Sequence, residues 1–147
     1  MDGEISSAWV VASEGEFAGW MNWPSDNWEM NGGPYYFRRE ADGTARCAFR
    51  ATAKHMNGQN HMHGGAMMTF ADFAMFGIAA VALGNSKAVT VSMNSEFVSA
   101  AQAGDLVEAT GEVIKAGKRM IFLRGKMFVG DKVILMFSGT LMRLPPA

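Results

Sequence analysis

The sequence predicts an α+β fold in which one long helix is wrapped by a curved antiparallel sheet. Three observations point to it. One 18-residue run, Ala66 to Leu83, is rich in Ala, Met and Phe, too long for a single strand, and bounded by Gly64-Gly65 before and Gly84-Asn85 after. A hairpin pattern precedes it, and four strand-like runs joined by short Gly, Ala and Asp turns follow it. A helix that is apolar on nearly every side must be covered on most of them, and a sheet curved around it does so.

In chain order, residues 1 to 33 mix Trp9, Phe17, Trp20, Trp23 and Trp28 with Gly, Pro, Asn and Asp. They read as short helix and loop, an extension lying over the core with its tryptophans as anchors or as the frame of an acyl pocket. Tyr35 to Arg39 and Thr44 to Lys54 read as strands around Glu40-Ala41-Asp42-Gly43, whose Asp-Gly pair suits a hairpin turn. After the helix come Ala88 to Ser99, Asp105 to Ala116, Arg119 to Val129 and Lys132 to Leu144. In the second of these, Val107, Ala109, Gly111 and Val113 alternate with Glu108, Thr110 and Glu112, the period of a half-solvated antiparallel strand. Gly117-Lys118 and Gly130-Asp131 are the tight turns of a meander. No repeat or linker interrupts the pattern, so 1–147 is expected to be a single domain.

Composition narrows the classes of partner. The 147 residues are 49% hydrophobic, enough for a continuous core. Thirteen basic and fourteen acidic residues leave a net charge of −1, with no field to hold nucleic-acid phosphates, so no polynucleotide partner is expected. Cys47 is the only cysteine and has no internal disulfide partner; the N-terminal residues carry early acids in place of a basic, then apolar, leader. A cytoplasmic location is the expectation. The stretch from Gly64 to Ser86 contains Thr69, Asp72, Gly65, Gly77 and Gly84, which suits a buried helix better than a membrane span. Thirteen methionines fit surfaces that adapt to varied apolar ligands, and equally fit core filler.

Asp72 is the only charged side chain between His63 and Lys87, and it sits inside the most apolar helix. An unpaired carboxylate there costs several kcal/mol unless it is hydrogen-bonded or faces a cavity. On physical grounds a catalytic or ligand-binding carboxylate and a structural hydrogen bond in the core explain it equally well. The loop from Asn57 to Gly65 runs into the same helix and is crowded with donors. Glycines at a helix start let a backbone approach closely, and the unsatisfied N–H groups there favour a developing oxyanion or a phosphate. A simple turn is the commoner meaning of Gly-Gly alone.

The string Asn57 to Asp72, NGQNHMHGGAMMTFAD, resembles the N-x-x-G-x-x-H-G-G-x-x-x-x-x-x-D signature of hotdog-fold acyl-CoA thioesterases of the phenylacetate-degradation type. The strand-turn-strand before it and Val89-Thr90-Val91-Ser92-Met93-Asn94 after it are similar to the same family, so the likeness spans about residues 32 to 144. The resemblance implies the hotdog fold and hydrolysis of an acyl-CoA thioester without metal or other cofactor. It implies that Asp72 is general base or nucleophile, that the Gly64 backbone N–H polarises the thioester carbonyl, and that Asn57 helps position water or acyl group. His63 would orient the loop, and Thr90 would hydrogen-bond water near Asp72. In the family the carboxylate and the glycine loop facing it come from different protomers, which implies a homodimer, or a dimer of dimers forming a homotetramer. One position departs from the signature: Asn60 stands where glycine is usual, and Asn is the residue most tolerant of a left-handed backbone after glycine.

Gly65, Met68 and Phe73 are the candidate substrate contacts, and Met67, Met68, Phe73, Met75 and Phe76 together fit either aromatic or medium-chain acyl groups. His55, His61 and His63 lack the spacing of a metal site, so no metal ligand is assigned. Lys115, Lys118, Arg119, Arg124 and Lys126 around one hairpin fit coenzyme A phosphates or a solvated sheet edge. A non-catalytic acyl-CoA sensor or carrier is the alternative function, and a dehydratase using paired His and acid is a third. Asn57, Gly64 and Asp72 together favour the hydrolase, because a pure binder has no need of a carboxylate beside a thioester.

Overall fold

A computed structural model describes residues 3–146; Met1, Asp2 and Ala147, the ends of the expected domain, lie outside the described residues. The chain runs through β1 (Val10–Val11), β2 (Met21–Asn22), α1 (Asn27–Gly32), β3 (Tyr36–Arg39), β4 (Ala45–Arg50), a 3₁₀ turn (Ala53–His55), α2 (Gly64–Ile78), α3 (Ala80–Leu83), β5 (Ala88–Phe97), β6 (Leu106–Ala116), β7 (Met120–Val129) and β8 (Lys132–Arg143). The strands form one antiparallel sheet in the order β1-β2-β3-β4-β6-β7-β8-β5. Because β4 pairs with β6 while β5 lies at the far edge beside β8, the segment between β4 and β5 must cross β6, β7 and β8. That segment is α2, which touches β3 through β8. Met67, Phe70, Ala71, Phe73, Ala74, Met75 and Gly77 of α2 are buried in this wrap. Each large one contributes about 1.5–3 kcal/mol of transfer free energy.

Three expectations shift in detail. The expected helix over residues 66–83 starts earlier, at Gly64, because His63 caps it by accepting from the Gly65 N–H, and it breaks at Ala79 (φ −87°, ψ 1°) before α3. The strand expected to reach Lys54 ends at Arg50, because the His55 ring folds back to accept from the Thr52 N–H at 2.9 Å and closes the 3₁₀ turn. The N-terminal extension supplies two short strands as well as a helix. Trp9 is an anchor, edge-on to Phe37 at 4.6 Å and to Phe73 at 5.8 Å.

Candidate active site

Along α2, Gly65, Thr69, Asp72 and Phe76 recur at helical spacing and form the stripe that the sheet leaves only partly covered or open. Asp72 lies on that stripe, half-buried, in a cleft of about 300 Å³ lined by Asp26, Trp28, Glu29, Met68, Thr69 and itself. Thr90 Oγ1 donates to Asp72 Oδ1 at 2.6 Å. Burial pushes the Asp72 carboxyl above its ordinary range, the Thr90 hydrogen bond pulls it back, and the nearby Asp26 charge raises it again. Thr90 sits on β5 just before a register shift between Thr90 and Ser92 where that strand pairs with β8. The shift changes the alternation, so that Ala88 and Thr90, then Met93 and Ser95, are the more covered positions.

The loop entering α2 is built from its own side chains. Asn57 Oδ1 accepts the N–H groups of Gln59 (2.9 Å) and His61 (3.1 Å), and His63 Nδ1 accepts that of Gly65 (2.8 Å). Asn60 adopts φ 61°, the left-handed conformation that its chemistry tolerates. The Gly64 N–H makes no hydrogen bond among the described residues, and the ring of Phe97 lies where a Cβ on Gly64 would meet it at 3.3 Å. Gly64 and Asp72 are eight residues apart on one helix, about 12 Å along its axis. Asn57, His63, Gly64 and Gly65 do not line the Asp72 cleft.

Of the expected substrate contacts, Met68 lines the cleft. Phe73 does not: it is 1% exposed and packs against Tyr35, Phe70 and Trp9, because its position turns it from the open stripe into the core. Met67 and Met75 are likewise buried in the core. Cys47 is fully buried and its thiol is pushed up by that burial. Among the described residues, no three His, Cys, Asp or Glu side chains gather to hold a metal, and no helix is long and apolar enough to cross a membrane. A larger hollow of about 750 Å³ lies over β5–β8 and includes Glu112, Arg124 and Lys126. It holds Arg124 and Lys126 of the basic set weighed for coenzyme A phosphates but none of the expected catalytic or substrate-contact residues, and Arg124 there pairs with Glu112 at 2.7 Å. The half-buried carboxylate places the candidate site in the smaller cleft.

Of the α1 residues of that cleft, Trp28 is one of the tryptophans expected to anchor the N-terminal segment or frame an acyl pocket, whereas Glu29, and the Asp26 that caps α1, have no counterpart among the sequence expectations. Asp26 followed three residues later by Glu29 is a helix-start pattern, which finds the helix but not what it packs against. Trp28 Nε1 donates to Thr69 Oγ1 at 3.4 Å and ties α1 to α2.

Residues 59–135 match the model of the thioesterase superfamily. The chain is also 31% identical over 108 residues, 73% of its length and 81% of the relative's, to Pseudomonas aeruginosa PA0474, whose name provisionally assigns an esterase. The chain belongs to the thioesterase superfamily. This thioesterase shares its fold with the PaaI protein of the Escherichia coli phenylacetic acid degradation operon, with a TM-score of 0.71, 21% identity, and coverage of 84% of this chain and 89% of that one. The Bacillus halodurans protein BH2602, solved with CoA, has a TM-score of 0.69 at 23% identity, covering 76% of this chain and 74% of that one. The helix wrapped by an antiparallel sheet is thus the hotdog fold, and the thioesterase is a thioester hydrolase.

Proposed function

We propose that this thioesterase hydrolyses an aromatic or medium-chain acyl-CoA to the free acid and CoA, with Asp72 as its central carboxylate. One observation carries the reading: the lone charged residue of an apolar helix opens onto a cleft and is oriented by Thr90 at 2.6 Å. CoA bound to the Bacillus halodurans protein of the same fold supports CoA as the thiol. In the general-base form, Asp72 takes a proton from water, the water oxygen adds to the thioester carbonyl carbon, and the oxyanion is met by the Gly64 N–H. Collapse breaks the C–S bond and the thiolate leaves, taking up a proton. In the nucleophilic form, Asp72 attacks the carbonyl carbon, the C–S bond breaks and the thiolate leaves, and water then hydrolyses the mixed anhydride to the free acid and the regenerated Asp72 carboxylate. His63 and Asn57 shape the loop that presents Gly64, Gly65 borders the entry, and Met68 meets the acyl chain.

The separation of about 12 Å between Gly64 and Asp72 along one helix is too long for both to act on a single carbonyl within one protomer. A second copy supplies the missing half. A homodimer, or a dimer of two such dimers, is therefore part of the reading, and β5, an edge strand carrying exposed Val89, Val91 and Phe97, offers an apolar surface for it.

The test is thiol release from a panel of aromatic and straight-chain acyl-CoAs by wild type and Asp72→Asn in parallel. Turnover by wild type that falls about 10²–10⁴-fold in the variant is expected, since that is what a positioned base contributes. Tight acyl-CoA binding with no turnover by either protein would instead establish the sensor or carrier.

A further inference from the structure

Glu29 is the third residue of α1 after its cap, the position from which a Glu side chain commonly reaches back to the N–H of the capping residue. Here that N–H is already taken: Asp26 N–H donates to Trp23 O at 3.0 Å, while Asp26 Oδ1 accepts from Glu29 N–H at 2.9 Å. The Glu29 carboxyl is therefore released from capping. It lines the Asp72 cleft, and its Oε2 is buried with no hydrogen-bond partner.

The helix that carries it is fixed at both ends. Trp28 joins it to Thr69 of α2, and Lys54 Nζ donates to the carbonyls of Asn31 (3.0 Å) and Gly33 (2.8 Å). His55 accepts from the Thr52 N–H through Nδ1, so its Nε2 carries the proton and donates to Gly32 O at 2.5 Å. A half-buried carboxyl with one buried, unpartnered oxygen, on a pinned helix and in a cleft with Asp72, calls for a role.

We propose that Glu29 is a positioning residue of the thioesterase site, a neutral carboxyl whose retained proton keeps a further negative charge away from Asp72 and the reacting carbonyl. This rests on the thioesterase reading of the cleft. The charged and titratable groups around Glu29 are Asp26 at the head of α1, Asp72 on α2 and Tyr35 at the start of β3. Burial first, then the Asp26 and Asp72 charges, push the Glu29 carboxyl up to about 8. Ionisation above that pH would set an anion beside the developing oxyanion, where charge repulsion is weakly screened.

The experiment measures kcat/KM from pH 6 to 9.5 for wild type and Glu29→Gln, on the acyl-CoA that wild type turns over best. Wild type is expected to lose about tenfold or more as pH rises through 8, and the glutamine variant, which keeps the shape but cannot ionise, to lack that falling limb. The same limb in both proteins, or none in wild type, would overturn the inference. Infrared titration of the carboxyl band, wild type minus Glu29→Gln, reads the proton directly. Retention of the Glu29 proton at pH 7 is expected, and a Glu29 already ionised at pH 6 would overturn the inference whatever the activity. Absence of turnover by wild type at every pH, by contrast, is a failure of the thioesterase reading alone.

Discussion

Thr90 and Glu29 act on the same cleft in opposite senses. The Thr90 hydroxyl stabilises the ionised form of Asp72, so Thr90→Val, which removes the hydroxyl at nearly constant volume, moves the Asp72 carboxyl further upward. The acid limb of kcat/KM is predicted to shift to higher pH; an unmoved limb would show that Thr90 does not set the base. Glu29 also marks the stability curve. Its folded carboxyl holds a proton up to about pH 8, whereas the unfolded group releases it near 4.5, so between those values the folded state binds more protons. Stability should then fall as pH rises from about 4.5 to 8 and level off above. Thermal melts of Glu29→Gln are predicted to lack that part of the slope. Asp72 was legible in the sequence because a lone charge in an apolar helix is conspicuous. Glu29 was not, because an acid among tryptophans near the N-terminus reads as surface until α1 is seen against α2.

At the scale of elements, the meander was readable because turn glycines and alternation are local. Its three strands, β6 to β8, and β5, which pairs with β8 from the edge, end within two residues of their expected bounds. The His63 cap and the break at Ala79 depend on side-chain and tertiary geometry, and the periodicity of an almost wholly apolar run gives no hint of either. Phe73 shows the same limit: on such a helix the sequence does not say which side meets the core. Close approach of α2 to the sheet is set at Gly77, where a Cβ would stand 3.1 Å from Cys47 Sγ and 3.2 Å from Phe37 Cβ. Gly77→Val is predicted to cost about 1–3 kcal/mol by overpacking this contact, measured by urea unfolding. A neutral result would mean that helix and sheet yield there.

For the whole molecule, the sheet order makes the fold intelligible: β4 and β5 lie far apart, so the apolar segment between them crosses and is wrapped. The same order leaves β5 at an edge, while their eight-residue spacing puts Gly64 and Asp72 on separate turns of one helix, which is why the proposed site needs two copies. That claim is tested most directly by complementation. Gly64→Pro deletes the N–H at a helix start whose backbone suits proline, since His63 before it is already extended at ψ 134°. Gly64→Ala, which keeps the N–H, controls for the added Cβ that meets the Phe97 ring at 3.3 Å. Alone, Gly64→Pro is predicted to lose about 10²–10³-fold in kcat, and Asp72→Asn alone to be similarly weak or weaker. Mixing the two after reversible dissociation forms hybrids that pair an intact loop with an intact carboxylate, so thiol release should rise well above that of either parent. A mixture no more active than its parents, with hybrid formation verified by native mass spectrometry, would contradict a site shared between copies.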